Sequence, residues 1–415
     1  MHILIRMNMP EKIRAFVRKE IVLVISAIAA AVSCLFVLPD AEYGTYFDWH
    51  TLALLLSLMV VVSGLRVLGV VRVLGEWVVS RMRSKMMIGS GLVALTFGCS
   101  MFITNDVALI TFVPFAIVVM HKARMDRFMG PVVALMTIAA NLGSMLLPMG
   151  NPQNLYLFQS SQINMVDFVL LMAPYSLCAA LLLAGFLLVV FCAQSEEVQS
   201  KKEARGSKHS KERSIKHLGR ASEEQGKKTS LLSRRTYPLG KCLRASVYGV
   251  LFVLCLCAVM GVLEVFLVCV IVVLVVALMD RRVFKYVDYG LLATFVVLFV
   301  FVGNMGRIPL VYEGISQLVS SAPVFASVLL SQIISNVPTA LLLSGFTDQW
   351  GALIVGTNLG GLGTLIASMA SIISFKLITT EGLVGRKEYL KTFTWYNAVF
   401  LIILLLLYGA LRVLG

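Results

Sequence analysis

The chain has 415 residues, 59% of them hydrophobic and 14% charged, with a formal net charge of +14. Soluble domains carry roughly 25% charged residues, so this composition excludes one. The positive charge does not point to nucleic acid either. The 36 Lys and Arg fall into short segments between apolar runs, as the loop bias of membrane proteins requires, and report orientation and contact with membrane lipids.

In chain order, the basic start and the apolar run from Ile21 to Leu38 imitate a signal peptide. The run is longer than such a segment needs and no small-x-small site precedes Pro39, so a retained first span is expected. A second apolar run begins at Thr51. The stretch 86–120 is interrupted by Thr104-Asn105-Asp106 and reads as a re-entrant hairpin. A helix over about 130–158 is expected to break near Asn141-Leu142-Gly143 and at Gly150-Asn151-Pro152-Gln153-Asn154. The run from Phe168 to Val190 completes a first half, 1–193.

Residues 194–244 are rich in Lys, Arg, Ser and Glu without apolar periodicity, the pattern of a disordered cytoplasmic linker. The run from Val247 to Met279 is too long for one span and is expected to divide around Gly261 and Glu264. Another span starts at Tyr289. A second hairpin is expected over 323–347 around Ser335-Asn336-Val337. A second broken helix is expected over 351–375, with breaks at Asn358-Leu359-Gly360-Gly361 and Ser368. The run from Phe393 to Leu411 closes the second half, 245–415. The matching order of these blocks indicates an internal repeat.

A charge count orients the repeat. With Arg6, Lys12, Arg14, Arg18 and Lys19 in the cytoplasm, the acidic loop of Asp40, Glu42 and Asp48 lies outside. If 86–120 dips in and returns, Lys122, Arg124 and Arg127 stay inside. Carried to the end, only Arg307 and Arg412 of the 36 basic residues fall outside, and the carboxyl terminus lies outside. The first hairpin then enters from the cytoplasm and the second from the opposite face. The expected architecture is therefore an all-α polytopic protein of the cell membrane, built from two inverted halves, each with a re-entrant hairpin and a broken transmembrane helix.

Non-helical backbone inside a bilayer must be buried in protein or face water, so such breaks mark a cavity. Half-helix ends bearing amides suit an anion and those bearing carbonyls suit Na⁺. Asn105 and Asn336 occupy the tips with both donor and acceptor capacity, and Thr104, Ser335 and Thr339 add hydroxyls. These groups are candidates for binding substrate, or for satisfying the hairpin backbone. Asp106 is the one acidic residue of 22 deep in a long apolar stretch. It is a candidate cation ligand or proton carrier, or a cap on the next half-helix. Asn141, Gly143, Gly150, Asn151, Asn154, Asn358, Gly360 and Ser368 are candidate cation-binding or coupling positions. Na⁺ is the metal they would take, and Gly360 with Gly356 also has the spacing for helix packing.

The segments TNDVALITFVPF, ANLGSMLLPMGNPQNL, SNVPTALLLSGF and GTNLGGLGT resemble the ion transporter superfamily. That superfamily includes citrate transporter-like permeases, divalent-anion sodium symporters, arsenite permeases and certain sodium/proton antiporters. The resemblance spans both halves. In the divalent-anion symporters each tip carries Ser-Asn-Thr, which touches substrate carboxylate. Thr104-Asn105 and Ser335-Asn336 match its first two places, while Asp106 and Val337 depart at the third. A fixed carboxylate beside a dicarboxylate repels unless it is protonated or cation-bound. The resemblance implies a homodimer working by elevator-like alternating access.

The expected function is therefore secondary transport of a small anion, either a di- or tricarboxylate or an inorganic oxyanion. Na⁺ or H⁺ is the coupling ion, and no other cofactor is expected. Sodium/proton antiport and arsenite export on the same scaffold are the nearest alternatives, and a channel is a more distant one. An enzyme is not expected, because all five His lie outside the apolar runs and no carboxylate pair lies within them. The eight scattered Cys read as small hydrophobes.

Overall fold

The computed structural model of the chain describes residues 20–204, 238–380 and 384–414; most of the basic linker, the amino-terminal 19 residues and the carboxyl-terminal Gly415 lie outside them. Among the described residues there are seventeen α-helices and no strand. Six of the helices are long and apolar enough to cross a membrane. Outward-facing side chains on them are apolar and bare, such as Leu181 at 67% exposure and Leu406 at 69%. A surface of that kind belongs against lipid, since a soluble protein does not leave large contiguous apolar area open to water. The molecule is an all-α polytopic membrane protein.

The first half begins with α1 (Ile21–Phe36), a six-residue 3₁₀ turn (Ala41–Tyr46) and α2 (Trp49–Leu68). Asp48 starts α2 by accepting the Thr51 backbone amide, and Gly69 ends it with φ of 77°, a conformation that suits a residue without Cβ. Then come α3 (Val70–Ser80), α4 (Lys85–Ser100), α5 (Asn105–Lys122), α6 (Met129–Gly143), α7 (Pro152–Ser161) and α8 (Met165–Ala204). The helix α9 (Pro238–Val259) follows the linker.

The long apolar run does divide at Gly261 and Glu264. Gly261 takes φ of 73° in the turn, and the Glu264 carboxylate accepts the amides of Phe266 and Leu267 to start α10 (Val265–Met279). A second six-residue 3₁₀ turn (Arg281–Tyr286) leads to α11 (Tyr289–Gly306), started by Asp288 as α2 is by Asp48. The remaining helices are α12 (Pro309–Ser321), α13 (Pro323–Ile334), α14 (Asn336–Ser344), α15 (Trp350–Leu359), α16 (Met369–Thr380) and α17 (Arg386–Leu414). The order from α1 to α8 thus runs again from α10 to α17, and the turns carry matching side chains. Asp40, Tyr46 and Asp48 recur at the same spacing as Asp280, Tyr286 and Asp288.

Packing sorts the helices into two bodies. In one, α1 lies along α11, and α2 packs on α9 and α10. In the other, α4 to α8 pack among themselves and with α13 to α17. Within this second body, α4 folds back on α5 and α13 on α14, giving two hairpins with tips at 101–104 and at Ser335. The chain bends by 113° between α12 and α13, so α12 does not continue the hairpin. The other breaks separate α6 from α7 at 144–151 and α15 from α16 at 360–368. The bodies touch where α11 meets α14 and where α2 meets α7, and the breaks of the second body face that seam.

Candidate functional site

The two tips and the two broken helices meet in a buried knot of amides and hydroxyls. Asn105 donates Nδ2 to Asn141 Oδ1 at 3.0 Å, and Ser368 Oγ donates to the same oxygen at 3.0 Å. Asn141 Nδ2 reaches the Gly361 carbonyl at 3.4 Å. One bond set therefore joins the first tip to the second half's broken helix across more than 220 residues of chain. A parallel set lies beside it: Asn358 donates to Asn154 Oδ1 at 2.6 Å, and Asn151 donates to Asn358 Oδ1 at 3.3 Å and to Ser144 Oγ at 3.1 Å. Asn151 also starts α7 by accepting the Asn154 amide.

The second tip is held differently. Asn336 N and Ser335 Oγ both donate to the Ala367 carbonyl, at 3.0 and 3.3 Å. Ser335 adopts φ of 77° with ψ of 156°, a region that costs a side-chain-bearing residue about 1–3 kcal/mol. Strain of this size at a buried tip persists only where the surroundings enforce it. Thr339 is fully buried and donates back to the Ser335 carbonyl, so it braces the tip from behind.

Several glycines here allow close approach. A methyl on Gly143 would overlap the Phe97 carbonyl, and one on Gly150 would overlap the Ser144 carbonyl. A methyl on Gly360 would press on Ser331, and one on Gly361 would lie 3.0 Å from Asn336 Nδ2. These four positions hold backbones and side chains together and do not themselves face open space.

A small cavity of about 40 Å³, open in part to the surroundings, lies between the tips and the α1–α11 pair. Of the residues singled out in the sequence, Asn105, Asp106, Ser335, Asn336 and Ser368 line it. Asn141, Asn151, Asn154 and Asn358 lie one layer behind, and Thr104 occupies the cap position of α5 without a side-chain cap bond. Sequence reasoning missed three wall residues of note. Gln153 belongs to a motif that was quoted, but its own role went unread. Glu20 and Asp288 were not singled out, and the repeated Asp-x₅-Tyr-x-Asp turn is the signal that picks out Asp288.

The polar groups of the wall are unevenly satisfied. The amide of Asn105 is bonded in both roles, its nitrogen donating to Asn141 and its oxygen accepting the Asp106 backbone amide at 2.9 Å. Asp106 Oδ1 is buried with no hydrogen-bond partner, and so is Gln153 Nε2. The Asp106 carboxylate caps no backbone amide of α5, which removes the capping role for it. Among the described residues, three carboxylates (Glu20, Asp106, Asp288) and no Lys or Arg line this cavity. The oxygens of Asn141 and Asn358 already accept side-chain donors. A Na⁺ ion held by them has to displace those bonds, whereas Asp106 Oδ1 has nothing to displace. Among the described residues no three His, Cys, Asp or Glu converge as a metal cluster.

The sequence has relatives among known proteins. Residues 11–348 match the citrate transporter (CitMHS) family. The chain belongs to the citrate transporter family. Relatives of similar length include an uncharacterized transporter, MJ0456, of Methanocaldococcus jannaschii. It is 29% identical over 340 residues, covering 82% of this chain and 84% of the relative. The inner membrane protein YbiR of Escherichia coli is 29% identical over 333 residues, 80% of each chain. A shorter match, 24% over 132 residues, links this citrate transporter family member to a putative transporter arsB of Dictyostelium discoideum; it covers 32% of this chain and 23% of the relative. The family makes the protein a membrane transporter.

Proposed function

We propose that this protein is a secondary active transporter that moves a small anion by alternating access, coupled to a cation that Asp106 carries. The observation behind this reading is the buried, unpartnered Oδ1 of Asp106 in a cavity walled by Asn105, Ser335, Asn336 and Ser368. A carboxylate in such a place is stabilised by taking up a proton or a cation, and its negative charge must be offset before an anion can share the cavity. Proton coupling is favoured over Na⁺ because the neighbouring amide oxygens are already bonded. The charge count places the amino terminus in the cytoplasm. On that orientation Glu20 and Asp288, at the starts of α1 and α11, lie at the cytoplasmic end of the cavity, and the conformation is open inward. The two halves are inverted copies, and the seam between the bodies is the surface along which one moves against the other. A homodimer joined through the body that contains α1, α2 and α9 to α11 fits this motion.

The three carboxylates on the wall, without a basic residue among the described residues there, support a second reading, cation/proton antiport on the same scaffold. Uptake into proteoliposomes separates the two. Labelled succinate, citrate, sulfate and arsenite are offered under imposed H⁺ or Na⁺ gradients, with Na⁺ efflux driven by a pH gradient as the other arm. Saturable anion uptake driven by H⁺ and lost in Asp106→Asn is the expected result. Gradient-driven Na⁺ flux with no anion uptake would replace the first reading by the second.

A further inference from the structure

Two buried polar groups on the cavity wall have no partner, Asp106 Oδ1 and Gln153 Nε2. Gln153 is only 1% exposed, so water does not compensate its amide freely. A buried donor left unbonded is costly, and natural structures keep one where a ligand completes it. The two groups differ in kind: one can only accept a hydrogen while ionised, the other donates one.

The internal repeat separates these two from the paired amides of the site. Asn105 has Asn336 as its counterpart, Asn141 has Asn358, and Asn151 has Ser368, each of the last two starting the second half of a broken helix. Asp106, one residue after the first tip Asn, corresponds to Val337. Gln153, two residues after Asn151, corresponds to Ala370. Both unpartnered groups thus stand where the second half has an apolar side chain. The paired amides Asn105, Asn141, Asn151 and Asn358 bond to one another or to neighbouring polar groups, while Asp106 Oδ1 and Gln153 Nε2 are left for something else.

We propose that Gln153 is a specificity-determining residue. It donates Nε2–H to an oxygen of the transported oxyanion, while Asp106, carrying the coupling proton on its other oxygen, accepts through Oδ1 a hydrogen that the same molecule carries. This rests on the anion-transport reading above and names the ligand class within it: an oxyanion that keeps a hydroxyl or an acid proton. An anion of the same shape that offers only acceptors leaves Asp106 Oδ1 facing lone pairs, and a site built to use a ligand hydroxyl discriminates against the analogue lacking it. Val337 and Ala370 supply no substitute on the opposite side, so the ligand is held in one orientation.

Matched ligand pairs test this. Hydrogen phosphate and sulfate are both small tetrahedral oxyanions, but only the first carries a hydrogen; malate and succinate differ by one hydroxyl. Uptake into proteoliposomes and thermal stabilisation of the purified full chain are measured for both pairs. The wild-type protein is expected to prefer at least one hydrogen-bearing member by about tenfold or more. Gln153→Ala, which copies the second half, is expected to weaken both members of the preferred pair. Gln153→Glu keeps the size, reverses the hydrogen-bond role and should lose binding of both. Asp106→Asn should shrink the ratio between the members, because an amide can donate to the acceptor-only anion. Monodisperse elution of each variant establishes that it folds. Equal handling of the members of both pairs by the wild type would overturn the inference while leaving anion transport standing, and so would an unchanged ratio and affinity in Gln153→Ala. Absence of any oxyanion flux or binding in the wild type would remove the anion reading and this inference with it.

Discussion

The two hairpin tips occupy equivalent places in the repeat, yet they solve the same problem in different ways. The first, Thr104-Asn105-Asp106, has an ordinary backbone, with Thr104 at φ of −55°, and carries a charge. The second, Ser335-Asn336-Val337, carries no charge and holds its strain in the backbone at Ser335. The first tip reaches the opposite half through a side chain, Asn105 to Asn141, which in turn touches Gly361 and Ser368. The second stays within its own half, tied by its backbone amide to the Ala367 carbonyl. A duplicated fold supplies the frame twice, and departures from symmetry are where the chemistry separates.

The largest expected effect breaks that comparison at its charge. Asp106→Asn is expected to abolish gradient-driven uptake, a loss of 100-fold or more by analogy with removing one buried charged partner worth about 3 kcal/mol. Facilitated exchange of the anion should persist, which counterflow measurements on the same vesicles will register. The mirror variant Val337→Asp is expected not to restore coupling in Asp106→Asn, because the second tip has its own backbone anchoring; restored coupling would mean the tips are interchangeable.

Next in size is the side-chain link. Asn105→Ala removes one of the two donors on Asn141 Oδ1 and should cost about 1–3 kcal/mol, or roughly 5–150-fold in substrate affinity. Asn336→Ala keeps the backbone bond to Ala367 and should cost less stability, which paired thermal melts will resolve. Ser335→Gly is expected to act in the other direction. It relieves about 1–3 kcal/mol of strain, offset in part by the entropy of a freer unfolded chain and by the lost Oγ bond. A net rise in melting temperature is expected at this tip, whereas Thr104→Gly, with no strain to relieve, should lower it.

The smallest effect lies away from the tips. Arg307 pairs with Asp40 at 2.7 Å and also reaches Glu42 at 3.5 Å. The guanidinium beside Asp40 holds that carboxyl below the usual carboxylate range. A lowered folded-state pKa contributes stability above the unfolded value, and that contribution is lost as pH falls through the folded value. The melting temperatures of wild type and Arg307→Gln should therefore differ slightly near neutrality and converge in acid.

Much of the site was legible because the physics of a bilayer makes polar residues conspicuous. Asn105, Asp106, Asn141, Ser335, Asn336 and Ser368 interrupt apolar runs that would otherwise read as plain spans, and the structure gathers all six around the tips. Gly143, Gly150 and Gly360 drew notice for the same reason, but whether a glycine faces an ion or a neighbouring carbonyl depends on what packs against it, and for Gly143 and Gly150 that is backbone. Thr339 illustrates another gap. Its hydroxyl is at the right depth in sequence, but one turn of helix points it back to the Ser335 carbonyl.

By itself the sequence determined that the chain is helical and spans the membrane, that its long apolar run divides around Gly261 and Glu264, and that its polar breaks recur in order. Those features follow from local chemistry: hydropathy, caps and glycine turns act within a few residues. Only the tertiary structure decided which polar groups satisfy one another. Asn141 and Ser368 meet across 227 residues, and no local rule foretells that. Nor does any local rule foretell that Asp106 and Gln153 are the ones left unpaired. Hydrogen-bond satisfaction is a property of the assembled neighbourhood, so the groups still available to a ligand can be named only once every other partner is in place.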